Sequence, residues 1–265
     1  MTTLLPTVFD AFAAQITRIR SRLTDSDPDV AFLAATYLET LASKSGNDIL
    51  ESLLVRATGR ALKAIGQKHG ADSADGELEA KPMKCGYSAH ISDDTPASLL
   101  RHQQIPWIVL GEACADGTQL KWACLTSYRI FDEARFRVFT DALLPTNPAD
   151  RYTSLLAVKR AWPAKQYIRS NPLSYKTLLG LQPGQYSFWI NPAAPNTDEI
   201  RTMAAKATQI SEETIAATLK IRDHFAAVVD YTDMPYNRLR ELSKEKGIKG
   251  ITKKTKEELI AFLSA

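Results

Sequence analysis

One tripeptide pairs a carboxylate with a lysine at a spacing that chemistry can use. It is Glu79-Ala80-Lys81, the single Asp/Glu-x-Lys of the chain. The residues around it alternate: Leu78 and Ala80 are apolar, while Glu77, Glu79 and Lys81 are charged. That is the pattern of a strand with one polar face, and on it Glu79 and Lys81 point the same way. A carboxylate and an ammonium held side by side suit phosphate-ester hydrolysis. The carboxylate offers oxygens to a hard cation, and the ammonium stabilises charge developing on phosphate oxygens. The tripeptide alone is expected on the order of once by chance at this composition, so its weight comes from its setting. The plain alternative is a surface strand that pairs Glu79 with Lys81 and holds no metal.

The setting is a run of elements. Asp75-Gly76 signals a tight turn just before the strand. Upstream, helical periodicity covers residues 5–23, with Leu5, Val8, Phe9, Phe12, Ile16 and Ile19 on one stripe. A second helix is predicted over 28–44. A third is predicted over 48–65, with Asn47 or Asp48 as cap and Gly66 as stop. Downstream come a short helix over 95–104, apolar strands over 105–114 and 118–131, and a helix over 132–144. NPAAPN is a loop, and residues 197–230 are helical with Ser211 as an internal cap. The pattern predicts an α/β (α+β) chain with a mixed sheet. Its regions are helical 1–47, a core at 48–145, a third part at 146–230 and a small unit at 236–265.

Composition narrows the classes. At 265 residues, 45% hydrophobic and 24% charged, the chain reads as an ordinary globular protein. No apolar run approaches the roughly 18 residues of a spanning helix. The first 23 residues read as an amphipathic helix without a basic leader, so no membrane partner is expected. Cys85, Cys114 and Cys124 show no metal-like spacing, which makes a reducing, cytoplasmic setting the expectation.

Charge is uneven. The net charge is +3, but Tyr236–Ala265 alone holds eight basic residues against four acidic ones. Between Arg151 and Thr197 there is no Asp or Glu, while Arg151, Lys159, Arg160, Lys165, Arg169 and Lys176 alternate with aromatic residues. A surface without carboxylates suits a polyanion. The rival reading is a core-rich segment.

Taken together, the Asp-Gly turn, Glu79-Ala80-Lys81 and the strands and helix that follow resemble the PD-(D/E)xK nuclease superfamily, the core of type II restriction endonucleases. The resemblance covers about residues 48–145. No proline precedes the first acid here. It implies a restriction-endonuclease-like core with a helical amino-terminal part. It also implies a first acid upstream of Glu79, either Asp72 or Asp75. Asp72 is preferred, because an Asp-Gly turn already uses Asp75. Magnesium, or manganese in its place, would then be held by Asp72, Glu79 and the backbone carbonyl of Ala80. Lys81 would orient the attacking water and stabilise charge, acting as a base only if its pKa were depressed. Glu51 matches an accessory helix glutamate of several members. Lys84 and His90 read as surface residues.

The last 30 residues carry Leu-Arg-Glu-Leu, Gly-Ile and Lys-Lys-x-Lys-x-Glu-Leu-Ile-x-x-Leu. This resembles the helix-extended-loop-helix class that includes SAP motifs and the amino-terminal unit of transcription terminator Rho. Its small core is expected from Leu239, Leu242, Ile248, Ile251, Leu259 and Phe262, with Thr255 capping the last helix. The resemblance implies phosphate contacts by Arg238, Lys249, Lys253, Lys254 and Lys256.

The expected function is a metal-dependent DNA endonuclease acting on double-stranded DNA, in its sharpest form a sequence-specific type II restriction enzyme and homodimer. Arg160, Lys165, Gln166, Arg169 and Asn171 are the candidates for base or phosphate contact. Repair, recombination or viral nucleases fit the same core. Two other classes remain. One is a non-catalytic nucleic-acid-binding protein. The other is an enzyme acting on a different anionic substrate.

Overall fold

The computed structural model describes residues 7–64, 71–84, 100, 102–131, 148–161, 181–195, 200–201 and 209–264. The chain is mixed α/β and divides into two compact units, residues 1–222 and 223–265. No helix among the described residues is long and apolar enough to cross a membrane.

Three helices open the first unit: α1 (Thr7–Ser21), α2 (Pro28–Ala42) and α3 (Asn47–Ala57). α2 starts where Asp27 accepts a 2.9 Å hydrogen bond from the Asp29 N–H and Pro28 supplies a preset φ. α3 is shorter than its periodicity suggests, ending at Ala57 rather than near Ile65. The Thr58 hydroxyl donates to the Val55 carbonyl. Gly59 then takes φ +81°, a left-handed position that stops a helix and suits glycine. This early stop frees the chain to fold back, where Leu62 bridges Ser73.

The sheet has the order β1 (Leu78–Lys84), β2 (Trp107–Ala113), β3 (Leu120–Ser127), β4 (Tyr186–Ile190). β1 runs parallel to β2, with Ala80 opposite Val109, and the other pairs are antiparallel. All eight residues of β3 are buried, as a central strand covered on both faces requires. One face packs on α1 and α3 through Val8, Phe12, Ile16, Leu50, Leu54, Leu78, Ala80 and Val109. The other face gathers Met83, Ile108, Leu110, Trp122, Cys124, Tyr128 and Phe131. Residues 128–131, expected to prolong β3, are helical, and this places Tyr128 and Phe131 one turn apart in that second core.

Two further expectations change. Tyr186, Phe188 and Trp189 belong to the acid-free stretch read as a DNA grip. On β4 their side chains alternate between the two cores, so this trio is sheet interior. Lys84 is also inside, only 2% exposed. Its ammonium donates to the Leu41 carbonyl at 2.8 Å and to the Ser43 carbonyl, satisfying the carboxy-terminal end of α2. It lies on the helix-covered face because 78, 80, 82 and 84 share one side of the strand.

Beyond the sheet lie α4 (Pro148–Ala161) and α5 (Glu212–Ala227), the latter capped by Ser211 through a 3.2 Å bond from the Thr214 N–H. The second unit holds α6 (Tyr236–Glu245), a 3-10 turn at Ile251–Lys253 and α7 (Lys256–Ser264). Its core is Leu239, Leu259 and Leu263, flanked by Leu242, Ile248 and Ile251. Leu263 takes the place expected of Phe262, which is 48% exposed. With α7 only nine residues long, Leu259 and Leu263 at i, i+4 fill the narrow stripe that faces α6.

Candidate active site

β1 is an edge strand among the described residues, and its outer edge is where the candidate residues meet. The segment 72–73 runs along that edge: the N–H groups of Asp72 and Ser73 both donate to the Leu78 carbonyl, at 3.0 and 3.1 Å. Pro82, two residues beyond Ala80, belongs on such an edge, since its missing N–H faces away from β2. The turn before β1 uses Gly76 at φ +77°. Asp75 is spent there. It accepts from the Ser73 hydroxyl and the Glu77 N–H and pairs with Arg60. Arg222 on α5 holds Glu77 at 3.1 Å and so fastens the same turn.

Asp72 is 4% exposed. Its Oδ2 accepts from the Ala80 N–H at 2.9 Å, and its Oδ1 accepts from Lys63 Nζ at 2.8 Å. In an extended strand the N–H and C=O of one residue point to the same side, so the Ala80 carbonyl leaves through the same edge. Glu79 is also 4% exposed and pairs with Lys81 through Oε1, while its Oε2 is buried without a hydrogen-bond partner. Lys81 Nζ stands 3.8 Å from Glu51 and 4.0 Å from Asp72. Glu51 reaches this point from α3 and lies beside Lys81 and Asp72. Glu51, Asp72, Glu79, Ala80 and Lys81 therefore converge. Lys63 joins them unforeseen, because the expected helix over 48–65 gave it no reason to approach Asp72.

Three carboxyl groups face two ammonium groups in a largely dry place, and their protonation shows it. Burial pushes Glu51 up to about 8 against the attraction of Lys81, with repulsion from Asp72 and Glu79 adding to the rise. Burial likewise pushes Glu79 up to about 7, helped by Asp72 and opposed by Lys81. Burial acts on Asp72 in the same sense, but Lys81, the Ala80 N–H and Lys63 together hold it below the ordinary carboxylate range. Burial disfavours the charge on Lys81, yet Glu79, Asp72 and Glu51 outweigh that and raise it above the ordinary lysine value. Lys81 is thus a firm cation, which leaves it an electrostatic role rather than that of a base.

A hard divalent cation suits this donor set. Magnesium is satisfied by one or two carboxylates and keeps the rest of its shell as water. Asp72 and Glu79 supply the two carboxylates, and the orphaned Glu79 Oε2 is a buried oxygen in want of a positive partner. Among the described residues no group of three or more His, Cys, Asp or Glu side chains is arranged to hold a metal. In place of one, the Lys81 ammonium stands between the acids.

Arg160 lies on α4. Lys165, Gln166, Arg169 and Asn171 lie outside the described residues, as do Cys85, His90 and the helix expected over 132–144. In the second unit Lys249 and Lys253 are exposed and Lys254 and Lys256 half-buried. Arg238, expected to meet phosphates, pairs with Glu241 at 2.9 Å and with Glu245 at 3.8 Å. Compared with known proteins, the chain matches no family model, no curated protein and no solved structure.

Proposed function

We propose that the chain is a metal-dependent DNA endonuclease with a restriction-endonuclease-like core. The observation that carries this reading is the meeting of Asp72, Glu79, Lys81 and Glu51 at the outer edge of β1, with one Glu79 oxygen left unpartnered. Asp72 and Glu79 would hold magnesium or manganese, with the Ala80 carbonyl at the same edge. When bound, the metal polarises the phosphate and lowers the pKa of an attacking water. Lys63 and the Ala80 N–H keep Asp72 ionised and fix its orientation. Lys81, held as a cation, stabilises the negative charge that grows on the phosphate oxygens. Glu51 holds a proton near neutral pH at a short reach from Lys81 and Asp72, so it is placed to exchange protons with water at the site.

Substrate binding falls to the basic surfaces. Lys249, Lys253, Lys254 and Lys256 supply phosphate contacts that weaken with salt. Arg160, Lys165, Gln166, Arg169 and Asn171 supply further contacts and, in a type II restriction enzyme, base readout. Cutting both strands asks for two such sites, which a homodimer supplies. A repair, recombination or viral nuclease uses the same core without a fixed recognition sequence.

A second reading is favoured by the ion pairing itself. Glu79, Lys81 and Asp72 can be a buried charge cluster of structural use in a non-catalytic DNA-binding protein, since Lys81 already occupies the centre of the acids. Digestion of a long duplex DNA with magnesium and with EDTA decides between the two. Discrete magnesium-dependent fragments support the specific nuclease, and a magnesium-dependent smear supports a nuclease without specificity. Intact DNA on duplex, methylated and single-stranded substrates supports the binding protein.

A further inference from the structure

The second unit bears a strip of alternating cations and rings that phosphate contacts alone leave unexplained. Tyr236 opens α6, and the Arg240 guanidinium sits 5.8 Å from its ring centroid. The Tyr236 hydroxyl donates to the Lys254 carbonyl at 2.7 Å, which draws the chain before α7 onto α6. The Lys254 ammonium in turn stands 4.2 Å from the Phe262 ring centroid. The order along the surface is Arg240, Tyr236, Lys254, Phe262. Tyr236 is 36% and Phe262 48% exposed. The unit's core closes without Phe262, so packing does not account for an outward phenylalanine.

The charges nearby favour an anion. Glu241 and Glu245 are taken by Arg238, and the Glu258 carboxylate accepts from the Thr255 N–H in a helix cap. Among the described residues neither Arg240 nor Lys254 has an ion-pair partner, and Arg240 Nε is buried without an acceptor.

We propose that this strip binds single-stranded DNA. Unpaired bases stack on Phe262 and Tyr236, and the intervening phosphates meet Arg240, Lys253 and Lys254. Every base offers a π-face, so rings alternating with cations form a sequence-tolerant track. A duplex hides those faces and reaches only the cations. The choice of DNA rests on the nuclease reading; the stacking does not.

The test is fluorescence anisotropy on the full chain in EDTA, where no metal-dependent cleavage occurs. The probes are a labelled 20-nucleotide thymidine strand, a duplex of the same length and a uridine RNA strand. Phe262→Ala is expected to weaken single-strand binding about tenfold while duplex binding and the melting temperature stay unchanged. Phe262→Leu, which keeps apolar volume without a π-face, is expected to show the same loss, and Phe262→Trp to retain binding. The proposal is overturned if Phe262→Leu binds the single strand like the unsubstituted protein. Equal losses on strand and duplex overturn it too, as does binding of the RNA but not the DNA strand. Magnesium-dependent digestion of duplex DNA by Phe262→Leu reports separately on the nuclease reading.

Discussion

Glu51 and Glu79 hold their protons far above the ordinary carboxylate range because they are buried beside a third acid. A divalent cation held by Glu79 must displace its proton, and its charge favours loss of the proton on neighbouring Glu51, so its binding and pH are linked. Titration calorimetry with magnesium is expected to show affinity rising from about pH 6 to 9, with proton release seen as a dependence on buffer ionisation enthalpy. Glu51→Gln removes the upper part of that rise. The same groups set a stability trend in metal-free protein. Their pKa values are higher folded than unfolded, so the folded state binds more protons between the two values. Stability therefore falls as pH rises from the ordinary range near 4.5 through about 7 to 8. Glu51→Gln is expected to flatten the upper part of this decline in denaturant titrations. A decline of unchanged depth in that variant contradicts the assignment. Of these residues, the Glu79–Lys81 pair was legible from its spacing, and Asp72 from the competing claim of the turn on Asp75. Lys63 was not legible, because its approach depends on where α3 stops.

The elements that place the site depend on a few backbone positions. Gly117 turns β2 into β3 at φ +73°, and a Cβ there would stand 2.8 Å from the Leu41 side chain. Gly117→Ala is expected to cost about 1–3 kcal/mol in urea unfolding, with loss of a tight turn and crowding of α2 acting together. Thr255 and Glu258 form a reciprocal cap, each side chain bonding the other's N–H, at 3.2 and 2.7 Å. Thr255→Ala is expected to destabilise the second unit by about 1 kcal/mol, read as earlier exchange of amides in α7. Element identity was largely visible in the sequence, because apolar alternation and helical periodicity are local. The end of α3 was not: Thr58-Gly59 outcompeted a periodic pattern that continues past it. Nor was the role of β4, where three aromatics without acidic neighbours look the same on a surface and inside a two-sided sheet. Of that segment's aromatic residues, Tyr186, Phe188 and Trp189 belong to the core.

At the scale of the whole molecule, a candidate phosphodiesterase edge belongs to one unit and a cationic surface to the other. If the second unit anchors DNA, removing residues 236–265 lowers duplex affinity and makes it less salt-sensitive. With four lysines involved, the slope of log affinity against log salt is expected to fall by about 3 to 4, measured from 50 to 200 mM salt. An unchanged slope contradicts an anchoring role. The central claim is that Glu79, Asp72 and Lys81 hydrolyse phosphodiester bonds with a divalent metal. Its most direct test is the rate of duplex cleavage at saturating magnesium for the unsubstituted chain and for Glu79→Gln, with DNA affinity measured alongside. The account predicts a loss of at least a hundredfold in rate with affinity retained. Cleavage at an undiminished rate by Glu79→Gln, or no magnesium-dependent cleavage by the unsubstituted chain on any DNA, would contradict it.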